Sequence, residues 1–266
     1  MQQSSKKIAM IGAGNVAWHL GQALAAAGHT ISYVYSRTAA HREELAATLP
    51  TATPLPHLDL HNTSIDLAVL AVPDAVLAQI AQQLQLPPNT LLVHTSGSQP
   101  LTALGQQLNL RTGVFYPLQT FSKAKPVDFK SIPILVEAPD KETLQELEEL
   151  AHSLSPTVHV VSSVARKQLH MAAVFACNFT NHLFGISQEL LRQANLPHTL
   201  LQPLIHETID KAAAFPPFTV QTGPAVRGDH NVLAEHLALL QQQPLYSQIY
   251  KIISQSIEAQ ASQQQE

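Results

Sequence analysis

The segment Lys6-Lys7-Ile8-Ala9-Met10-Ile11-Gly12-Ala13-Gly14-Asn15-Val16-Ala17 most constrains the fold, because it reads as a buried strand that runs through a glycine turn into a helix. Gly12 permits the tight turn, Gly14 lets backbone approach an anion with no Cβ in the way, and small Ala17 lets the new helix pack on the strand. The N–H groups of the first helical turn and the positive end of the helix dipole favour a phosphate there. Gly12, Gly14, Asn15, Val16 and Ala17 are therefore candidate cofactor-binding residues. The alternative is a glycine turn made for local backbone reasons.

Residues 16–27 continue with helical composition to Gly28, and residues 31–35 make a second strand at the distance a dinucleotide fold requires. That strand runs into Ser36-Arg37-Thr38, where an enzyme using the unphosphorylated cofactor places an acid for the ribose hydroxyl. No acid is present. Arg37 suits a 2′-phosphate, with the Ser36 and Thr38 hydroxyls donating to the same oxygens, so the pattern points to NADP. The competing reading has Thr38 capping a helix over 39–49 and Arg37 as a solvated charge.

With 266 residues, 45% of them hydrophobic and 13% charged, the chain can build a sizeable core and two domains. A net charge of −4 without a basic cluster argues against nucleic acid, and no apolar run is long enough for a membrane span. Lys6 and Lys7 before an apolar stretch imitate a signal peptide, but Asn15, His19 and Gln22 interrupt it. The single cysteine, Cys177, can form no internal disulfide, which fits a reducing, cytoplasmic setting.

Further along, apolar runs and helical segments alternate: strands over 66–72, 90–95, 113–116, 132–137 and 157–161, an extended piece over 51–55, and helices over 74–84, 100–108 and 140–154. This predicts an α/β fold, a Rossmann-type, mostly parallel sheet with helices on both faces. Beyond residue 165 strand signals vanish, and helices are expected over 165–195, 199–214, 232–241 and 246–265. The division is a cofactor-binding domain over 1–163 and an all-α domain over 164–266.

Seven strings in order, G-A-G-N-V-A, Y-S-R-T, L-A-V-P-D, V-H-T-S-G-S, V-F-Y-P-L-Q-T-F-S, A-V-F-A-C-N-F-T-N-H and Q-T-G-P-A-V-R-G-D, carry a resemblance that spans nearly the whole chain. The chain resembles a bacterial family that joins an NADP-oxidoreductase-type Rossmann domain, similar to deazaflavin-dependent NADP reductases, to a C-terminal helical domain of unknown function. More distantly it resembles pyrroline-5-carboxylate reductase, ketopantoate reductase and 6-phosphogluconate dehydrogenase relatives. The resemblance implies a nicotinamide enzyme, a helical domain that mediates homodimerisation, and a loop of Ala71, Val72 and Pro73 lying beside the cofactor. Many β-hydroxyacid relatives carry a lysine and, four residues later, an asparagine on the first helix after the Rossmann domain. Here Lys167 is followed at that spacing by Met171, so that mechanism does not transfer.

Hydride transfer needs a proton donor and a group to polarise the acceptor. At ~100° per residue His170, Cys177 and Asn181 share a helical stripe, with Asn178 beside it. His170 is the candidate proton carrier, and Asn178 or Asn181 the polariser; the alternative is hydrogen-bonded packing. His94, Ser96 and Gly97 follow a strand and are candidates for holding a carboxylate or phosphate, unless Ser98 merely caps a helix. Tyr116 and Gln119 follow another strand and could line the same crevice, and Arg227 suits an anionic substrate unless it pairs with Asp229. The 14 histidines show no metal-ligand spacing, and there is no nucleophile elbow or P-loop lysine.

The expectation is an NADP-dependent oxidoreductase acting on a small carbonyl or imine between its two domains. The competing readings are an NADP-binding sensor without turnover and a purely structural helical dimer, and a deazaflavin is an alternative redox partner.

Overall fold

The computed structural model describes residues 5–105 and 110–263. Eight strands form one sheet: β1 (Lys7–Ile11), β2 (Thr30–Tyr35), β3 (Thr53–Leu55), β4 (Leu67–Leu70), β5 (Leu91–His94), β6 (Arg111–Pro117), β7 (Ile134–Glu137) and β8 (Val158–Val160), in the order β3-β2-β1-β4-β5-β6-β7-β8. The pairs from β3 to β6 are parallel, β6 and β7 are antiparallel, and β7 and β8 are parallel again.

The central strands are apolar on both faces, as a sheet covered from both sides must be. Ile8 and Met10 of β1 enter one core while Ala9 and Ile11 enter the other, and in β4 Leu67 and Val69 separate in the same way from Ala68 and Leu70. Four helices accompany the sheet: α1 (Asn15–Ala26), α2 (Ala39–Ala47), α3 (Asp74–Gln83) and α4 (Lys141–His152). Helix α1 buries Ala17, Leu20, Gly21 and Leu24, the i, i+3, i+4, i+7 stripe of a core-facing helix. Helix α4 starts where the Asp140 carboxylate accepts from Thr143 N at 2.8 Å.

The expected helix over 100–108 is a 3₁₀ turn, Leu101–Leu104, ended by Gly105 at φ 72°; residues 106–109 of that expectation lie outside the described residues. The expected helix over 165–195 is also corrected. It consists of α5 (Ser163–Ala173), a π turn (Val174–Phe179) and α6 (Thr180–Gln193). The last residues expected in the terminal helix, 264–265, are likewise outside the description.

The chain divides into two compact units, Met1–Cys177 and Asn178–Glu266, so the boundary falls inside the π turn. The second unit holds α6, α7 (Gln202–Ala214), α8 (His230–Leu239) and α9 (Pro244–Gln263). Among the described residues none of these four helices contains a fully buried residue. No described helix is long and apolar enough to cross a membrane.

Candidate functional site

Parallel strands deliver their loops to one edge, and the reversal of strand order between β1 and β4 opens a crevice there. The glycine turn lies at that point. Gly12 has φ 121°, and a Cβ placed on it would sit 2.1 Å from the Ala71 carbonyl oxygen and 3.3 Å from Val72. Only glycine fits, and the closeness shows that the turn and residues 71–73, two separate cofactor candidates, meet in space. Gly12 N donates to Tyr35 O at 2.8 Å, which ties in the end of β2 and brings Ser36, Arg37 and Thr38 to the same region.

Gly14 occupies the N-cap of α1 without a side-chain cap, and a Cβ there would meet nothing within 4 Å. The first intrahelical bond is Trp18 N to Gly14 O at 2.9 Å, so the N–H groups of Asn15, Val16 and Ala17 precede the helical ladder. Gly14 and Asn15 are exposed and Val16 half-buried, while Ala17 is sealed against the sheet. The uncapped, open start of this 12-residue helix is a cradle that a pyrophosphate fits.

Arg37 is exposed and forms no ion pair among the described residues. Thr38 stands at the N-cap of α2, yet its hydroxyl makes no cap hydrogen bond. The capping alternative for Thr38 therefore fails. Arg42 Nη1 donates to the Ser36 carbonyl at 3.3 Å and leaves the Ser36 hydroxyl uncommitted.

Across the crevice, the loop after β5 is shaped by its own side chains. Ser96 Oγ accepts from Ser98 N at 3.1 Å and Gln99 N at 3.0 Å, and the Ser98 hydroxyl donates to the Asp74 carboxylate at the start of α3. Ser98 is thus a clip between two loops and not a helix cap; Pro100 takes the N-cap of the short turn.

His94 needs a correction. Its ring is fully buried, Nδ1 accepts from Ser96 N at 3.1 Å, and among the described residues Nε2 has no partner at full hydrogen-bond geometry, the Pro100 carbonyl acting on it more weakly. Burial, reinforced by the Arg166 guanidinium, lowers its pKa to about 4, against the raising influence of the Pro100 carbonyl, Asp74 and Glu137. With its ring sealed beneath the loop, His94 is not exposed to an incoming carboxylate or phosphate.

Gly97 presses on the residues that matter most for chemistry. A Cβ on it would lie 2.6 Å from His170 Nδ1 and 2.8 Å from the Tyr116 ring. Tyr116, at the end of β6, and His170, on α5, share a hydrogen bond of 3.0 Å between the phenol oxygen and Nδ1, with their rings edge to face at 6.0 Å. The Tyr116 phenol pKa is raised by burial, with Asp74 adding to the rise and Arg166 opposing it.

Sequence reasoning missed what holds α5 in place. Arg166, only 1% exposed, forms an ion pair with Glu137 of β7 and donates to Gln99 O at 2.6 Å and Ser163 Oγ at 3.2 Å. Ser163 in turn donates to Glu137 from its N at 2.9 Å and from its hydroxyl at 2.7 Å. Burial pushes the Glu137 carboxyl up, but the bonds from Arg166 and Ser163 outweigh it and leave its pKa lowered. The Ser163–Arg166 spacing is the only part of this cluster visible in sequence.

The other candidates are placed differently. Gln119 is exposed, and its Oε1 accepts from Thr120 N at 2.7 Å, so its carbonyl is used locally. The π turn changes the angular advance, so the stripe joining His170, Cys177 and Asn181 does not exist as drawn. Cys177, Asn178 and Asn181 are exposed, and the two asparagines belong to the second unit. Arg227, also in that unit, is exposed and does not pair with Asp229, whose carboxylate accepts from Val232 N at 3.4 Å to cap α8.

Comparison with known proteins fits this geometry. Residues 1–114 match a Rossmann-like domain, and residues 132–257 match a domain of unknown function, DUF2520. The chain is similar to the crystal structure of a "putative NADP oxidoreductase" from Bacteroides fragilis, with 40% identity, TM-score 0.91, and coverage of 96% of this chain and 98% of that one. It shares its fold with a Thermotoga maritima protein, at 22% identity and TM-score 0.66 over 97% and 100% of the two chains. It shares it also with a reductive aminase from Aspergillus terreus solved with NADPH and ethyl-5-oxohexanoate, at 17% identity and TM-score 0.72 over 98% and 95%. No curated protein sequence matches at a significant level.

Proposed function

Since the chain belongs to the same family as the Bacteroides fragilis protein, we propose that it is an NADP(H)-dependent oxidoreductase that transfers hydride to or from a small carbonyl or imine. The observation that carries the reading is the cradle at Gly12 and Gly14, where a Cβ is excluded at one position and open space lies at the other. When bound, the nicotinamide supplies or accepts the hydride. The N–H groups of Asn15, Val16 and Ala17 would hold the pyrophosphate, and Ser36, Arg37 and Thr38 would hold the 2′-phosphate. Ala71, Val72 and Pro73 would line the cofactor beside the glycine turn. Gly97 and Tyr116 border the substrate, with Ser96 shaping the loop, and His170 exchanges the proton.

Calorimetric titration with NADPH and NADH in parallel tests this. Arg37→Ala should weaken NADPH by about 10-fold, roughly one charge-assisted hydrogen bond, and leave NADH unchanged. Equal affinity for both nucleotides in the unaltered protein would remove the 2′-phosphate assignment, and no binding of either would remove the enzyme reading. The exposed Met171 in place of the relatives' asparagine favours a second reading, a sensor that binds NADP(H) without turnover. Absence of NADPH oxidation across a carbonyl and imine panel, with binding intact, would select it.

The second unit is assigned to a homodimer with a like copy. Leu204 is 62% exposed, Phe218 62%, Leu239 81% and Leu245 72%, large apolar side chains that association with a second copy would remove from water. A monomeric mass by sedimentation at micromolar concentration would refute the dimer.

A further inference from the structure

We infer that Tyr116 is a positioning residue that holds His170 in one tautomer, with its proton on Nε2, and so presents an N–H donor to the substrate. Tyr116 is buried, and its hydroxyl makes one hydrogen bond among the described residues, to His170 Nδ1. That single contact decides the direction of donation. If Nδ1 carried the proton and donated to the phenol oxygen, the phenol's own O–H would have no acceptor among the described residues, which is costly for a largely buried group. If the phenol donates, its O–H is satisfied and Nδ1 is the bare acceptor. Neutral imidazole then has its hydrogen on Nε2.

The surroundings keep this arrangement. Burial raises the phenol pKa, so the O–H stays in place as the donor. Gly97 closes the side of the pair at Nδ1 and leaves no room there for a competing group. The charged and titratable groups near the pair come from each neighbouring element. Arg166 lies one turn before His170 on α5 and is neutralised by Glu137 of β7; Asp74 stands at the start of α3, bonded to Ser98; and His94 of β5 is neutral beneath the loop. No partner is found for His170 Nε2 among the described residues, and the residue is half-buried, so this nitrogen is the one open to a ligand.

The consequence for substrate class rests on the oxidoreductase reading above. An Nε2–H donor needs a lone pair to point at. A carbonyl oxygen has one and so does a neutral imine nitrogen, but a fully substituted iminium nitrogen has none. As hydride reaches the carbonyl carbon, the C=O π pair moves onto oxygen and the Nε2–H bond stabilises that developing charge; the Nε2 proton then passes to oxygen as the Tyr116 proton moves to Nδ1, and the phenolate regains a proton from solvent. The site is therefore matched to a neutral carbonyl or imine.

The test uses full-length protein labelled with 15N-histidine, with the His170 ring identified through His170→Gln, in two-bond proton–nitrogen spectra with and without NADPH. The expected result is a protonated Nε2 and a bare Nδ1 in the unaltered protein, with the tautomer ratio falling several-fold in Tyr116→Phe. A proton on Nδ1, or a ratio unmoved by Tyr116→Phe, overturns the assignment. Should that variant not fold, the unaltered spectrum alone decides. Calorimetry with NADPH on the same samples separates the two claims, because failure to bind refutes the oxidoreductase reading and leaves the tautomer standing. Where NADPH is oxidised, ketones should be reduced at least about 10-fold faster than an N,N-dialkyl iminium salt, and the opposite order overturns the substrate class.

Discussion

The two sides of the crevice are made of different material. Around Gly12 and Gly14 the site consists of main chain: a glycine whose Cβ position is taken by the Ala71 carbonyl, an uncapped helix start, and side chains such as Thr38 that make no cap bond. Around Tyr116 it consists of side chains stacked in depth, with His170 on Tyr116, Gly97 on both, and the Arg166–Glu137 pair beneath. Backbone binds a constant ligand by geometry that most substitutions cannot alter. Side chains make a surface that evolution can change, at the cost of burying polar groups that must all be satisfied. On the proposed reading, the difference separates the half that would take a shared cofactor from the half that would select a substrate.

The strongest way to break the comparison is through the side-chain half. Glu137→Gln leaves Arg166 buried without its countercharge and should cost about 3–5 kcal/mol of stability, read by denaturant unfolding, while nucleotide affinity of the folded fraction changes little. Equal loss in affinity would mean that the two halves are not separable.

Acid gives the next effect. The folded pKa of His94, about 4, lies below the 6.5 of an unperturbed ring, so the unfolded state binds the extra proton first. Its contribution to stability is therefore intact above about pH 6.5 and is lost as pH falls from there through about 4, amounting to about 3 kcal/mol. His29, whose pKa is also lowered by burial and by Lys6, acts in the same direction. His94→Gln should flatten the slope of stability against pH over that window; an unchanged slope would show that this ring is not what titrates.

Gly12→Ala probes the other half with a smaller stability effect, about 2 kcal/mol from positive-φ strain and displacement of Ala71. Its signature is selective: NADPH binding should vanish in protein that still folds. Retained binding would show that the main-chain cradle is not where the nucleotide sits.

The same contrast explains what could be read in advance. The cradle was legible because its requirements are local, with Gly12, Gly14 and Ala17 lying within six positions and followed by a strand ending in Ser36-Arg37-Thr38. The alternation that makes the sheet was legible through β8, since buried parallel strands are near-continuous apolar runs. The side-chain half was not. Tyr116 and His170 are 54 positions apart, and Glu137 and Arg166 are 29 apart, so neither pair exists until β6, β7 and α5 are in place. His94 read as a ligand because its strand's carboxyl edge is where ligands bind, whereas its ring turns into the core. The π turn carries no period of its own that an apolar stripe would reveal, and the short turn at Leu101–Leu104 stops at a glycine that the helical pattern tolerated.

The contact between Gly12 and Ala71 also bears on how a ligand would be received. A turn whose main chain already abuts its neighbour cannot swing aside alone, so the two loops form one stiff rim. Little ordering entropy remains to be spent there when a molecule arrives, and little adaptation is available to one of the wrong shape. Selectivity at this rim comes from rigidity present before encounter, and whatever adjusts on binding must do so elsewhere.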